Sequence, residues 1–179
     1  DSAREPLELK SQVMEVEIDN QTAKTEIRQV FHNRYGRPIE ATYLMPIPKG
    51  AHVSDFVMEM NGKRVRGEVL EKDKARQIYT DIVRRMRDPG LLEYVDQELF
   101  RARVFPILPN GDQKVEITVT HLLEQDNGVV EYAWPFEPPR SVKQRGRPTS
   151  ADEFDVKLKI HSKVPIKSVY SPTHKIDVD

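Results

Sequence analysis

The stretch MEVEIDNQTAKTEIRQVF, residues 14–31, decides the fold of this chain. Its apolar residues from Met14 to Ile18 alternate with glutamates, and a second run follows in which every other residue from Lys24 to Arg28 is charged. Successive side chains of a β-strand point to opposite faces, so a period of two is typical of a strand buried on one face. The stretch therefore predicts two half-buried antiparallel strands joined by a turn.

The same alternation recurs along the chain. The further runs are Ile39 to Met45, Phe100 to Val104, Val115 to Val119, Val130 to Trp134 and Phe154 to Ile160. Three Asn-Gly pairs, at residues 61–62, 110–111 and 127–128, each separate two alternating runs. Both residues of such a pair tolerate the positive φ that a type I′ hairpin turn requires. The pattern predicts a mainly β chain of antiparallel strands.

The period changes to that of a helix near residue 73. From Ala75 to Met86 the apolar residues fall at offsets 0, 3, 4, 7, 8 and 11, which is the spacing of one helix face. Asp73 suits the N-cap position, and Pro89 disfavours helical geometry in the residue before it. One amphipathic α-helix is therefore predicted at about residues 73–88, with its apolar face covering the open side of the strands.

Composition narrows the class of protein. The 28 basic and 29 acidic side chains among 179 residues give a formal net charge of −1, so no overall field draws the chain to nucleic acid or to an anionic membrane. The absence of cysteine excludes disulfides, a thiolate zinc site and a cysteine nucleophile. No apolar run reaches the roughly 18 residues of a membrane span. Because the chain begins at Asp1 and ends at IDVD, we interpret it as a trimmed piece of a longer protein.

The sequence lacks the short motifs that are typical of catalytic, metal-binding and phosphate-binding sites. The five histidines are scattered without ligand spacing, and HEXXH, GXSXG, the Walker loop and GXGXXG are all absent. We therefore predict no catalytic, metal-binding or cofactor-binding residue, and a chain that is not an enzyme. Two dispersed carboxylates could still meet in a cleft, which leaves a carbohydrate-active β-sandwich enzyme as an alternative.

Two basic segments could contact a partner. Arg84, Arg85 and Arg87 lie in the last turns of the predicted helix and are the candidate partner-binding residues. Cations at a helix C-terminus also interact favourably with the helix dipole, so these arginines have a purely structural interpretation as well. Residues 137–152 form a proline-rich basic loop or linker. Together the two segments leave a weak nucleic-acid-binding module as a second alternative.

The run from Ala41 to His121 carries a family likeness. Its matching marks are Tyr43, Pro46, Pro48, the apolar run 53–58, Gly67, Val69, Ala75, Tyr79, Phe100, Val104, Pro109 and the strand 115–119. In these residues the chain resembles the VIT domain, named for vault protein and inter-alpha-trypsin inhibitor, and the likeness extends more weakly from about Leu7 to Trp134. The variant IVRRMRDPGLLEY, followed by LFRARVFPI, is similar to bacterial members.

The resemblance implies an antiparallel β-sandwich-like domain with one helix and no catalytic residue, usually placed ahead of a von Willebrand factor A domain. The metal-ion motif DXSXS of such a domain is absent here. We expect residues 1–136 to be the VIT domain and residues 153–179 to be an additional β-segment, either packed on it or leading to a missing domain. The expected function is a non-catalytic protein-protein interaction or scaffold module of a larger extracytoplasmic protein, secreted, periplasmic or on the cell surface. Its expected partners are other proteins or a downstream domain, without nucleic acid, cofactor or membrane insertion.

Overall fold

A computed structural model describes residues 7–60, 63–66, 68–69, 98–135 and 153–179. These ranges are mainly β. Their strands are β1 Glu8–Asp19, β2 Thr22–His32, β3 Ile39–Ile47, β4 His52–Met60, β5 Lys63–Arg66, β6 Glu68–Val69, β7 Glu98–Ile107, β8 Asp112–Leu122, β9 Gln125–Asp126, β10 Val129–Val130 and β11 Glu153–His161. The helix predicted at residues 73–88 lies outside the described residues.

The strands form a six-stranded sheet, a three-stranded sheet and a small hairpin. The large sheet has the order β11-β1-β2-β8-β4-β5, and the small sheet has the order β3-β7-β6. The alternating runs at residues 39–45, 100–104, 115–119 and 154–160 all lie within strands, as predicted. The run at residues 130–134 does not, because β10 ends at Val130 and the next residues are irregular, although Tyr132 and Trp134 still pack against the core.

The period-two alternation places one buried row across the large sheet. Met14 on β1 pairs with Ile27 on β2, Ile27 pairs with Ile117 on β8, and Ile117 pairs with Phe56 on β4. These four side chains are at most 1% exposed. Paired residues of neighbouring strands share a face of the sheet, so the register aligns the apolar face of four strands into one core surface.

Aromatic rings join this surface to the small sheet. The ring of Tyr43 on β3 lies 6.1 Å from Phe31 and 5.5 Å from Phe56, both on the large sheet. Phe100 on β7 lies 5.2 Å from Phe56. Ring pairs at such distances contribute about 0.5–1.5 kcal/mol each beyond their buried area. The two sheets therefore share a core centred on Phe56.

The strand pairing of two predicted Asn-Gly hairpins is confirmed, although residues 61–62 themselves lie outside the described residues. Strands β4 and β5 pair on either side of residues 61–62, with Met60 opposite Lys63. Asn127 and Gly128, with φ of 49° and 83°, connect β9 to β10 as a type I′ turn requires.

The hairpin predicted at residues 110–111 is wrong. Strands β7 and β8 belong to different sheets, so residues 108–111 direct the chain from one sheet to the other. Here the N–H of Gly111 donates to the carbonyl oxygen of Leu108 at 3.2 Å. Asn110 has a φ of 50°, whereas the described glycines with positive φ are Gly50 and Gly128. A type I′ turn needs positive φ at both central residues, and this turn supplies it at only one.

The prediction of a purely antiparallel architecture is wrong at the edge of the large sheet. Strand β11 pairs with β1 in the parallel sense, from Ser11 opposite Glu153 to Asp19 opposite His161. Parallel neighbours cannot be joined by a tight hairpin, and here β2 to β10 all lie between β1 and β11 in the chain. Alternation of apolar and polar residues reports which face of a strand is buried but carries no information on strand direction. The large sheet is therefore mixed.

Candidate functional site

The outer face of the large sheet, opposite the core, carries several exposed ion pairs. The pairs are Arg28 with Glu15, Lys24 with Glu26, Arg64 with Glu116, Arg66 with Asp55 and Lys114 with Glu59. Pairs this exposed contribute about 0–1 kcal/mol each. Their signs balance along the face, so it presents neither an apolar contact surface nor the basic field that nucleic acid requires.

One cluster at the rim of this face contains a perturbed carboxylate. The Oδ1 atom of Asp112 lies 2.7 Å from Nδ1 of His32 and 3.0 Å from Nζ of Lys10. The hydrogen bond from His32, and then the one from Lys10, hold the pKa of Asp112 below its ordinary value, against a smaller opposing effect of desolvation. Both partners favour the ionised carboxylate, so Asp112 is a structural anion rather than a proton donor at neutral pH.

Replacing Asp112 by asparagine is expected to lower the free energy of unfolding by about 0.5–1 kcal/mol at neutral pH. The folded-state pKa of Asp112 is lowered, so its contribution is present above the unfolded value of about 3.9 and is lost as pH falls through the folded value. Urea unfolding of both proteins between neutral and acidic pH measures this. The stability of the wild type should fall more steeply with acidification, and parallel curves would contradict the role given to Asp112.

Two tyrosines, Tyr43 buried and Tyr132 partly buried, serve the core rather than a reaction. Burial raises the pKa of Tyr132 to about 12, partly offset by its hydrogen bond with Thr25 at 2.9 Å. Burial also raises the pKa of Tyr43. The hydroxyl of Tyr43 donates to Oε1 of Gln29 at 2.6 Å, and Nε2 of Gln29 donates to Oε1 of Gln12 at 2.6 Å. Both phenols are neutral at physiological pH, and their hydrogen bonds satisfy polar groups enclosed by the sheets.

The structure does not test the predicted partner-binding residues. Arg84, Arg85 and Arg87 lie outside the described residues, so their role as a partner contact stays a prediction. Within the part of the chain that the structure describes, no three His, Asp or Glu side chains come close enough together to hold a metal ion.

The apolar face of the large sheet continues onto β11, where it is exposed. Phe154, Val156, Leu158 and Ile160, which we term the edge stripe, are 36–50% exposed. Their register partners on β1, in the same order, are Gln12, Met14, Val16 and Ile18. These partners are at most 8% exposed. Single exposed apolar side chains are ordinary, but four in a row along one edge strand form a contiguous patch of the kind that marks an interaction surface.

The end of β11 is tied to the turn between β1 and β2. The N–H of Asn20 donates to the carbonyl oxygen of His161 at 2.8 Å, and Oδ1 of Asn20 accepts from the N–H of Lys163 at 3.0 Å. Asn20 itself has a φ of 54°. The segment that follows keeps exposing apolar side chains, at Val164, Ile166, Val169, Tyr170, Ile176 and Val178. These hydrogen bonds hold the end of the edge stripe in a defined position.

The family match covers the sheets but not this edge. The model of the VIT family, the vault protein inter-alpha-trypsin domain, matches residues 9–119, more than half of the chain. The chain belongs to the VIT family. The matched region runs from β1 into β8, so the edge stripe of this VIT protein lies outside the part that defines the family.

Curated relatives of this VIT protein are much longer than it is. It is 30% identical over 124 residues to the mouse protein mono-ADP-ribosyltransferase PARP4, covering 69% of this chain and 6% of that protein. It is 25% identical over 162 residues to a von Willebrand factor A domain-containing protein of Dictyostelium discoideum, covering 90% and 17%. It is 28% identical over 128 residues to human inter-alpha-trypsin inhibitor heavy chain H2, covering 70% and 13%. The chain spans less than a fifth of each, and its bacterial character stays a prediction.

Solved structures show only a low likeness. An M1 zinc metallopeptidase from Deinococcus radiodurans aligns with 69% of this chain and 22% of its own, at a TM-score of 0.40 and 11% sequence identity. A likeness of this size supports no inference about activity. Among the described residues of the VIT protein, no helix combines the length and the apolar composition of a membrane span.

Proposed function

We propose that this VIT protein is a non-catalytic protein-interaction module of a larger secreted or cell-surface protein. In this proposal residues 1–136 form the VIT domain as a β-sandwich, residues 137–152 are a loop, and residues 153–179 are an additional β-segment joined to it through β1. The observation that carries the proposal is the edge stripe, because an apolar strip on an edge strand is a surface that another polypeptide can cover. The names of the relatives support the setting, since von Willebrand factor A domain-containing proteins and an inter-alpha-trypsin inhibitor heavy chain are among them.

The chemistry of the edge favours a polypeptide partner. Among the described strands, β11 is the last of the large sheet, so one side of its backbone can accept another strand while apolar side chains of the partner cover the stripe. A nucleic acid would require a basic surface, and the outer face of the same sheet is charge-balanced by its ion pairs. The predicted helix with Arg84, Arg85 and Arg87 is a secondary contact in this proposal.

A carbohydrate-active enzyme gains no support from the large sheet. Glu15, Glu59 and Glu116 on its outer face are engaged with Arg28, Lys114 and Arg64. A glycoside hydrolase needs two carboxyl groups with different environments, one of them protonated, across a sugar-binding cleft. The three carboxylates instead share one kind of environment, because each lies on the outer face and is paired with a cation.

The proposal is tested by capture on the immobilised 179-residue chain from extracts of its source, at low and at high salt. Three forms are compared, namely the wild type, Leu158→Glu in the edge stripe and Leu122→Glu as matched control, since Leu122 is 71% exposed and outside the stripe. We expect a discrete protein that the wild type and the control retain at high salt and that Leu158→Glu loses, because apolar contacts are not screened by salt. Equal capture by all three forms, or capture of nucleic acid or polysaccharide alone, would refute the proposal.

A further inference from the structure

The order of charges along β11 indicates which partner its edge fits. The strand reads EFDVKLKIH, residues 153–161. On the face opposite the edge stripe, the first half carries Glu153 and Asp155 and the second half carries Lys157 and Lys159. All four side chains are exposed. A strand that is acidic in its first half and basic in its second half is complementary to a copy of itself running in the opposite direction.

An antiparallel pair of β11 strands centred on Val156 matches residues 153–159 of the two copies with one another. Asp155 then lies opposite Lys157 of the second copy, and Glu153 lies opposite Lys159 of the second copy. On the other face, Val156 meets Val156 of the second copy, and Phe154 meets Leu158. By symmetry each unlike pair occurs twice, so the pairing creates four opposite-charge pairs on one face and a continuous apolar row on the other.

Other registers are less favourable. Centring the pair on Lys157 places this lysine opposite itself, and centring it on Asp155 does the same with an aspartate. An unshifted parallel pair sets every charged residue against its own copy. A shift of one residue moves the edge stripe of one copy to the charged face of the other. Like charges directly opposite are destabilising, so the charge order favours the register centred on Val156 over these.

Strand β1 already complements the basic half of β11 from the other side. Glu15 and Glu17 pair in register with Lys157 and Lys159, and Nε2 of His161 lies 3.6 Å from Oε1 of Glu17. A second copy would add Asp155 and Glu153 on the open side of the same lysines. Lysines on edge strands ordinarily prevent strands from pairing. Because acidic residues lie at matching distances along the same strand, these lysines disfavour other partners and registers but favour an antiparallel copy of β11.

We propose that the occupant of the edge stripe is a second copy of this chain. Its β11 adds antiparallel to the first β11 about a twofold axis at Val156, so that two large sheets join into one. The axis is perpendicular to the sheet, which keeps both apolar faces on the same side and brings Phe154 of each copy against Leu158 of the other. This proposal rests on the proposed function, since it names the partner of the same interaction surface.

Cysteine crosslinking tests the register, because the chain has no native cysteine. In the proposed pair, Val156→Cys places two thiols at the axis, where neighbouring strands are close enough for a disulfide. Leu158→Cys leaves its two copies roughly 13 Å apart, four residues along the strand, which is too far for one. We expect Val156→Cys to form a covalent dimer on mild oxidation, Leu158→Cys to stay monomeric, and a mixture of Phe154→Cys with Leu158→Cys to crosslink. Failure of Val156→Cys, or equal crosslinking of Leu158→Cys alone, would overturn the proposal.

A charge swap measured by analytical ultracentrifugation tests the partner pairs. We expect Lys159→Glu to raise the dimer Kd roughly tenfold, since it sets glutamate opposite Glu153 twice. The double variant Lys159→Glu with Glu153→Lys restores the unlike pairs and should recover dimerisation. A single variant that dimerises like the wild type, or a double variant that is no better than the single, contradicts the pairing.

The two proposals fail in distinguishable ways. A chain that stays monomeric at all concentrations but captures another protein through the edge stripe overturns self-pairing and leaves the interaction function standing. A monomeric chain whose capture does not depend on Leu158 overturns both.

Discussion

Replacing Phe56 by alanine is expected to lower the free energy of unfolding by about 3–5 kcal/mol. Phe56 is 1% exposed. Its ring lies 5.5 Å from Tyr43 and 5.2 Å from Phe100. Because Phe56 belongs to the large sheet and the other two rings belong to the small sheet, truncation removes contacts that hold the sheets together. The rigid β framework cannot close over the space left behind, so the cost includes a cavity as well as lost burial.

Chemical denaturation of the wild type and of Phe56→Ala measures this loss, with an unchanged m-value as the sign that the same surface unfolds. Leu122→Ala is the control, since Leu122 is 71% exposed and its truncation should change stability by no more than about 0.5 kcal/mol. If Phe56→Ala were as mild as the control, the two sheets would not share a core at this ring.

The buried face of each strand could be predicted from sequence, whereas its direction could not. The alternation of Met14 to Ile18 predicted which side chains of β1 are buried. The alternation of Phe154 to Ile160 is the same signal, yet β11 runs parallel to β1 and its apolar side chains are exposed. Period-two patterning specifies a face, and what covers that face depends on elements elsewhere in the chain or in a partner.

The Asn-Gly turns likewise show that local sequence does not determine which strands pair. The dipeptide Asn-Gly occurs at residues 110–111 and at residues 127–128, but only the second pair closes a hairpin. Local chemistry allows both turns to adopt positive φ. Which strands lie beside each other is decided by the core, since β7 completes the small sheet and β8 lies between β2 and β4.

The candidate site was only partly accessible to sequence reasoning. The three arginines were chosen because they follow a helical period, and that segment is not described by the structure. The edge stripe was predicted as one more half-buried strand, so its exposure was missed. A usable signal was nevertheless present, because the order of acidic and then basic residues in EFDVKLKIH can be read directly from the sequence. Its meaning depends on β11 being an edge strand, which only the sheet order supplies.

Replacing Asn33 by alanine is expected to lower the free energy of unfolding by about 2–4 kcal/mol. Asn33 is fully buried at the end of β2. Its Nδ2 donates to the carbonyl oxygens of Leu108 at 2.8 Å, Arg37 at 3.0 Å and Ile107 at 3.2 Å. Its Oδ1 accepts from the N–H of Tyr35 at 2.9 Å. Alanine removes four hydrogen bonds of a fully buried side chain, and the Leu108 carbonyl keeps only the N–H of Gly111. The cost is therefore more than that of one hydrogen bond.

Asn33→Asp distinguishes this account from simple loss of volume. Aspartate nearly matches the size of asparagine, but its ionised form directs negative charge at the same carbonyl oxygens. Burial raises the folded-state pKa of the new carboxyl, so the folded protein binds a proton that the unfolded protein releases, and stability falls as pH rises through the folded value. We expect Asn33→Asp to be less stable than Asn33→Ala near neutral pH and the difference to shrink on acidification. Unfolding free energies of the two variants across that range decide the matter, since a constant difference would mean that the side chain at position 33 is reached by solvent.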